Sequence, residues 1–262
     1  MLQLNEANYY SQEADVDYFS ASQIKSFKKC EARTMAKLGG LWTYPPSTAL
    51  TVGQYVDESL TGDLEAWLPK HPEILKRDGT LKADFEGARL MVERAMRDEL
   101  FMDYMDGDHQ AILTAKIFGA PFKAKFDVLA KDRIVDLKTV KDLSAKYVPG
   151  QGKVDFATAW DWPLQLAIYQ KIAMENGLGK LPCYLAVITK ETPADIRIVQ
   201  IEQERMDAEL AWLEQMLPRY EAVKSGAIDP ERCEMCEYCR ESRILYGPEL
   251  LGDFDENGGI EA

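Results

Sequence analysis

The chain has 262 residues, enough for one large domain with its own buried core. With 46% hydrophobic and 29% charged residues it has the balance of an ordinary globular protein, which excludes the disordered and fibrous classes. No run of roughly eighteen apolar residues occurs, and residues 1–17 are polar and acidic, so neither a membrane span nor a secretory signal is expected and the cytoplasm is the expected compartment.

Residues 20–38 read as one helix, with Ser20 or Ser22 as N-cap, Ile24 and Phe27 at helical spacing and Gly39-Gly40 as its stop. Pro45-Pro46 marks a loop. Thr48–Leu60 predicts a second helix, and residues 83–105 a long third one that breaks at Gly107. The period then changes. Residues 109–118 and 121–130 are expected to be strands around a tight Gly119-Ala120 turn, and residues 133–140 a third strand. A helix over 160–176, strands over 183–190 and 195–201, and an amphipathic helix over 204–224 complete the pattern. This order predicts an α/β (α+β) fold, a mixed central β-sheet flanked by helices. Residues 1–19 are expected to be an N-terminal extension. Residues 20–246 are expected to form one domain, with a helical part (20–107), a catalytic sheet (108–201) and a C-terminal helix with a cysteine cluster (202–246). Residues 247–262, rich in Asp, Glu and Gly, are expected to be a disordered tail.

The formal net charge of −13 opposes binding to a phosphate backbone unless a local basic surface or bridging cations intervene. Two basic stretches meet that need. Residues 122–153 hold eight basic residues against four aspartates, and Lys25, Lys28, Lys29, Arg33 and Lys37 are opposed only by Glu31. Charge runs are usually solvated faces, but the first stretch also contains the best catalytic candidates. Strand alternation places Phe122, Ala124, Phe126 and Val128 on one face, and Lys123, Lys125 and Asp127 on the other. In the next strand Val135 and Leu137 oppose Asp136 and Lys138. A hairpin through Lys131-Asp132 would bring Asp127 and Asp136 together. Two such carboxylates repel each other unless a cation lies between them, and an oxygen-only donor set suits Mg2+ or Mn2+. Such a site can hydrolyse phosphodiesters, with Lys138 orienting the attacking water or stabilising transition-state charge. Taken alone, D-x-K is a pattern that exposed sheet faces also carry.

Asp127, eight intervening residues and then Asp136-Leu137-Lys138 resemble the motif of the PD-(D/E)XK nucleases. Gln165 with Tyr169 resembles the QxxxY motif of their RecB-like branch, where this helix helps to hold DNA. Val52-Gly53-Gln54-Tyr55-Val56-Asp57 resembles the segment in which many relatives carry a metal-binding histidine. Here Asp57 holds that place, with Glu58 as the neighbouring alternative. The opening segment, residues 19–30, is similar to the N-terminal helix of the branch. The set most resembles the phage and prophage exodeoxyribonuclease VIII (RecE-type) nuclease domains. The resemblance implies a Mg2+-dependent exonuclease acting on double-stranded DNA ends in recombination or end resection, with a single-strand annealing protein as partner. It implies Asp127, Asp136 and Lys138 as catalytic, Asp57, Asp127 and Asp136 as metal ligands, and Gln165, Tyr169, Lys123 and Lys125 as DNA-binding or supporting residues. An endonuclease, or a non-catalytic DNA-binding module on the same fold, is the rival reading.

Cys233, Cys236 and Cys239 lie within seven residues, a spacing that lets thiols wrap one metal. Of the two other cysteines, Cys183 sits in an apolar stretch and reads as core, whereas Cys30 follows exposed lysines with no packing reason to be cysteine. Some RecB-like nucleases clamp their ends with an iron–sulfur cluster held by one N-terminal and three C-terminal cysteines. That resemblance implies a [4Fe-4S] cluster on Cys30, Cys233, Cys236 and Cys239. Zinc and free thiols remain alternatives. His71 and His109 show no ligand spacing, and Trp160 and Trp162 suit either base stacking or a helix-start core.

Overall fold

A computed structural model describes residues 2–248, so the expected tail lies outside the described residues from residue 249 onward. The chain opens with helices α1 (Gln12–Asp17), α2 (Ala21–Lys29), α3 (Glu31–Leu38), α4 (Thr48–Leu60), α5 (Leu64–Trp67), α6 (Ala83–Met96) and α7 (Glu99–Tyr104). Strands β1 (Asp108–Ile117), β2 (Ala120–Leu129) and β3 (Ile134–Val140) follow, then a small hairpin of β4 (Lys146–Val148) and β5 (Gly152–Val154). Helix α8 (Trp162–Glu175), β6 (Cys183–Thr189), β7 (Ile196–Gln200), α9 (Gln203–Lys224) and α10 (Glu237–Glu241) complete the described chain. The main sheet has the order β1-β2-β3-β6-β7. It is mixed: β3 and β6 run parallel, because α8 carries the chain back between them, and the other neighbours are antiparallel. Among the described residues no helix is long and apolar enough to cross a membrane.

Both sheet faces are covered. On one face Phe122, Phe126, Ile134, Leu185 and Val187 pack with Ile24 and Phe27 of α2, Leu164 and Ile168 of α8, and Leu213 and Tyr220 of α9. On the other, Val135, Leu137, Ala186 and Ile188 pack with Val56 of α4, Phe85 and Met91 of α6, and Phe101 of α7. Helix α8 is buried on nearly every side, as expected of a helix apolar all round. It lies on the sheet, in contact with α2 and α9 as well.

The expected mixed sheet flanked by helices is therefore what the chain forms, and Thr48–Leu60 is helical as read. Several expected elements differ in detail. The single helix expected over 20–38 is two, parted at Cys30, whose extended backbone (φ −171°, ψ 111°) caps both α2 and α3. The long helix expected over 83–105 restarts at Asp98, whose side chain accepts from the Phe101 amide. The turn between β1 and β2 falls on Phe118 and Gly119, one residue earlier than read. Both have positive φ, the arrangement that matches the twist of a two-residue hairpin. Alternation on β2 also slips: Phe126 packs on the α8 side but Val128 on the α4 side. The slip falls at Asp127, between the pairs His109–Val128 and Ala111–Phe126. On β1 the intervening Gln110 has a left-handed φ of 54°.

Gly107, just before β1, is fixed by close approach. Its φ is +156°, and an added Cβ would stand 2.9 Å from Val128 Cγ1 and 3.1 Å from the Leu129 carbonyl oxygen. At Gly79, φ +83°, nothing lies within 4 Å of that position. Gly107→Ala should lower folding stability by about 1–3 kcal/mol more than Gly79→Ala in denaturant titrations, since it adds a backbone clash to the shared φ cost. Equal midpoints for the two variants would contradict this packing.

Candidate active site

Strands β2 and β3 pair only at Val128–Val135 and Leu129–Ile134, beside the turn that joins them. Beyond those pairs, backbone groups of β3 on this edge need another partner. Asp127 supplies one: its Oδ2 accepts a hydrogen bond from the Leu137 amide at 2.8 Å. Alternation along β3 turns Asp136 and Lys138 toward α8, opposite Val135 and Leu137. Asp136 is only 1% exposed. Its Oδ1 accepts from Gln165 Nε2 at 2.8 Å, and Gln165 Oε1 accepts in turn from Lys25 Nζ at 2.7 Å. Asp136 Oδ2 lies 2.5 Å from Lys138 Nζ in an ion pair, and no other donor reaches this buried oxygen.

Helix α4 contributes Asp57. Its Oδ1 accepts from Thr61 Oγ1 at 2.8 Å, and Gln110 Nε2 stands 3.4 Å from both carboxylate oxygens. The slip in β1 at Gln110 thus places a side-chain amide on this carboxylate. Glu58 turns elsewhere, since its Oε2 accepts from the Asp63 amide. Of the two acidic candidates on α4, the structure brings Asp57 to the site.

The four charges act strongly on one another. Burial, then the Asp136 charge, pushes the Asp127 carboxyl well above the usual carboxylate range, against the pull of Lys138. Burial also raises Asp57, with Glu58 and Asp136 adding to it and Thr61 and Lys138 opposing. Burial disfavours the Lys138 ammonium, but Asp136 and Asp127 outweigh it and raise its pKa. Lys25 is lowered to about 8 by burial and by the Lys138 charge. Tyr169 packs on Phe126 with ring centroids 4.9 Å apart. Burial lifts its hydroxyl well above the ordinary value, so it stays protonated.

This donor set fits a hard divalent cation. Its ligands would be carboxylate oxygens, one of them a buried oxygen whose partner is the Lys138 ammonium, at a place where burial and neighbouring negative charge raise the Asp127 and Asp57 carboxyls. Asp127 and Asp136 would hold the ion with Asp57 beside them. The carboxylates stand less close together than the cysteine thiols do. Among the described residues, the group of three or more ligand atoms all within 4.8 Å of one another is Cys30, Cys233, Cys236 and Cys239. Cys183 is buried in the core, as read from its apolar surroundings.

Lys123 requires a correction. It is 1% exposed, and its ammonium is held by Asp15 Oδ1 at 2.7 Å and the Tyr9 carbonyl at 2.6 Å. It ties the N-terminal segment to the sheet and offers DNA no contact. Lys125 is half-buried, with Nζ 5.6 Å from the ring centre of Tyr10. Trp162 is buried while Trp160 is 52% exposed. His71 stacks on Trp67 and His109 bonds to the Met105 carbonyl, both structural roles. Sequence reading missed Lys25, Gln110 and the Lys28–Asp161 ion pair at the start of α8. The basic run on α2 was the available signal for Lys25 and Lys28.

The raised Asp127 pKa has a definite sign in stability. The folded protein keeps a proton that the unfolded chain releases, so this stabilisation is complete below the ordinary carboxylate range and is lost as pH rises through the raised value. In metal-free buffer the melting temperature of wild type should therefore fall with rising pH more steeply than that of Asp127→Asn. Parallel curves would contradict the raised pKa of the buried Asp127 carboxyl.

Comparisons with known proteins bear on the fold and the family. The crystal structure of a candidate exonuclease from Eubacterium rectale superposes with a TM-score of 0.93 at 40% sequence identity, covering 98% of this chain and 99% of that one. No curated protein sequence matches the chain significantly. The family described as "PDDEXK-like domain of unknown function (DUF3799)" matches residues 20–242, and the chain belongs to that family.

Proposed function

We propose that the chain is a Mg2+-dependent deoxyribonuclease, with Mn2+ able to substitute, that degrades double-stranded DNA from its ends. The observation that carries the reading is the convergence of Asp127, Asp136 and Lys138 where β2 and β3 part, with the buried Asp136 Oδ2 held by Lys138 alone. A cation held there would acidify a water molecule and neutralise charge building on the scissile phosphate. Lys138, with its pKa raised by two carboxylates, acts as a fixed positive charge and not as a base. Gln165 orients Asp136, and Lys25 orients Gln165, so α8 and α2 set the carboxylate that β3 presents. Tyr169 supports Gln165 from the next turn, 3.4 Å away.

The segment between β3 and α8 supports a nucleic-acid substrate. There the β4–β5 hairpin and its approaches carry Lys141, Lys146 and Lys153, and β4 contacts the short turn that carries Trp160. Tyr147 is 72% exposed and Trp160 52%, which gives aromatic faces for unpaired bases beside positive charge. Action on ends is supported by the 40% identical neighbour described as a candidate exonuclease. Resection of the RecE type would leave a single-stranded tail, so an annealing protein is the partner proposed.

Purified protein with Mg2+ should release acid-soluble nucleotides from linear duplex DNA and spare a covalently closed circle of the same sequence. Asp136→Ala and Lys138→Ala should each lower the rate on the order of a hundredfold or more while remaining folded. Efficient cutting of the closed circle would replace the exonuclease reading with an endonuclease. Binding without cleavage, or wild-type rates in either folded variant, would overturn the catalytic assignment.

A further inference from the structure

The family resemblance implies an iron–sulfur cluster at the four cysteines, and their spacing does not fit one. Cys30 Sγ lies 3.6 Å from Cys239 Sγ, Cys233 Sγ lies 4.0 Å from Cys239 Sγ, and all four sulfurs are within 4.8 Å of one another. A single tetrahedral ion with metal–sulfur bonds of about 2.3 Å sets its sulfurs roughly 3.8 Å apart. A [4Fe-4S] cubane gives each thiolate a different iron at a different corner, which spreads the sulfurs to roughly 6 Å. We propose that Cys30, Cys233, Cys236 and Cys239 bind one zinc ion, and that this ion fixes the junction of α2 and α3 to the C-terminal segment.

The surroundings are built for thiolates. The Arg33 amide donates to Cys30 Sγ at 3.4 Å and the Cys236 amide to Cys233 Sγ at 3.3 Å, bonds of the kind that orient metal ligands. Between Cys233 and Cys236 the chain turns tightly through Glu234, a non-glycine residue at φ 55°. That residue is clamped by Arg232 Nε on its carboxylate at 2.6 Å and by Arg243 Nη2 on its carbonyl at 2.7 Å. Four thiolates around a divalent ion carry two net negative charges. Arg232, whose Nη2 donates to the Cys239 carbonyl, and Arg33, whose buried Nε has no hydrogen-bond partner, supply nearby positive charge.

The site also explains why one helix becomes two. Cys30 is at once the C-cap of α2 and the N-cap of α3, with an extended backbone that turns its sulfur toward Cys239. A second tie runs beside it. Glu31 takes a bidentate pair from Arg219 of α9 (2.6 and 2.8 Å) and a hydrogen bond from the Glu231 amide, while the Ala32 amide donates to the Glu231 carbonyl. Zinc thus closes a loop of about two hundred residues, the case in which a cross-link removes most unfolded-state entropy. Helix α2, which ends at this ion, is the helix that carries Lys25 to Gln165.

Elemental analysis of the full chain expressed with both metals supplied and purified without oxygen should give one zinc per chain, with neither iron nor acid-labile sulfide. Protein grown with cobalt should show the visible absorption of a tetrahedral tetrathiolate Co2+. Cys183→Ser should keep its zinc and Cys30→Ser should lose it. Stripping the ion from wild type with a chelator should lower the melting temperature by several degrees, and added zinc should restore it. Brown protein containing iron and sulfide would overturn the proposal, as would metal-free protein or a Cys30→Ser variant that retains its full zinc content. Should Cys30→Ser fail to fold, the zinc stoichiometry and cobalt spectrum of wild type still decide the question. None of these readouts depends on nuclease activity.

Discussion

The site depends on a place where two strands stop pairing. Once β2 and β3 part after two residue pairs, the Leu137 amide has no strand partner there, and the Asp127 carboxylate takes that role. This anchors one acidic group in the sheet while β3 continues beside β6 and presents Asp136 and Lys138 on the covered face. Burying charge so near other charge is costly unless each is paired or bonded. Here Asp136 Oδ2 is compensated by the Lys138 ammonium alone, at 2.5 Å. The fold supports the rest from a distance: α8 supplies Gln165, α2 supplies Lys25, and α4 brings Asp57 from the other layer.

The acidic balance of the chain is compatible with a polyanionic substrate because the basic residues are divided by role. Lys123 and Lys224 are used internally: one binds Asp15, and the other binds the Tyr18 carbonyl and Gln23. Lys25 and Lys28 point from α2 toward the start of α8, where Lys28 pairs with Asp161 at 2.6 Å. Lys141, Lys146 and Lys153 stay near the hairpin after β3. Fields close to a cleft matter more for steering a charged ligand than net charge does. A cation at the carboxylates would reverse the sign of the remaining repulsion at the point of chemistry.

Much of this was legible in the sequence, and the exceptions have physical causes. The period-two pattern of β3 separated Asp136 and Lys138 from Val135 and Leu137 because that strand is regular and buried on both faces. The same rule failed on β2 at Val128, because the ladder with β1 is interrupted at Asp127, opposite the left-handed Gln110, which local alternation cannot show. Helix breaks at Cys30 and Asp98 were hidden because neither glycine nor proline marks them; a long-range sulfur contact and a new side-chain cap do. Lys123 looked like its neighbour Lys125, and only the arrival of Asp15 from the N-terminal segment distinguishes them. The choice of Asp57 over Glu58 likewise needed the turn that gives Glu58 the Asp63 amide. The β4–β5 hairpin, with three residues in each strand, is too short to give a periodic signal.

The central claim is that Asp127 and Asp136 form a divalent-cation site. Anomalous diffraction from crystals of the full chain equilibrated with Mn2+ tests it most directly. The account requires a manganese peak in bonding contact with both carboxylates, with Asp57 beside it and Lys138 turned from Asp136 Oδ2 toward the position of the phosphate. Manganese bound elsewhere while these oxygens stay metal-free at saturating concentration would contradict it.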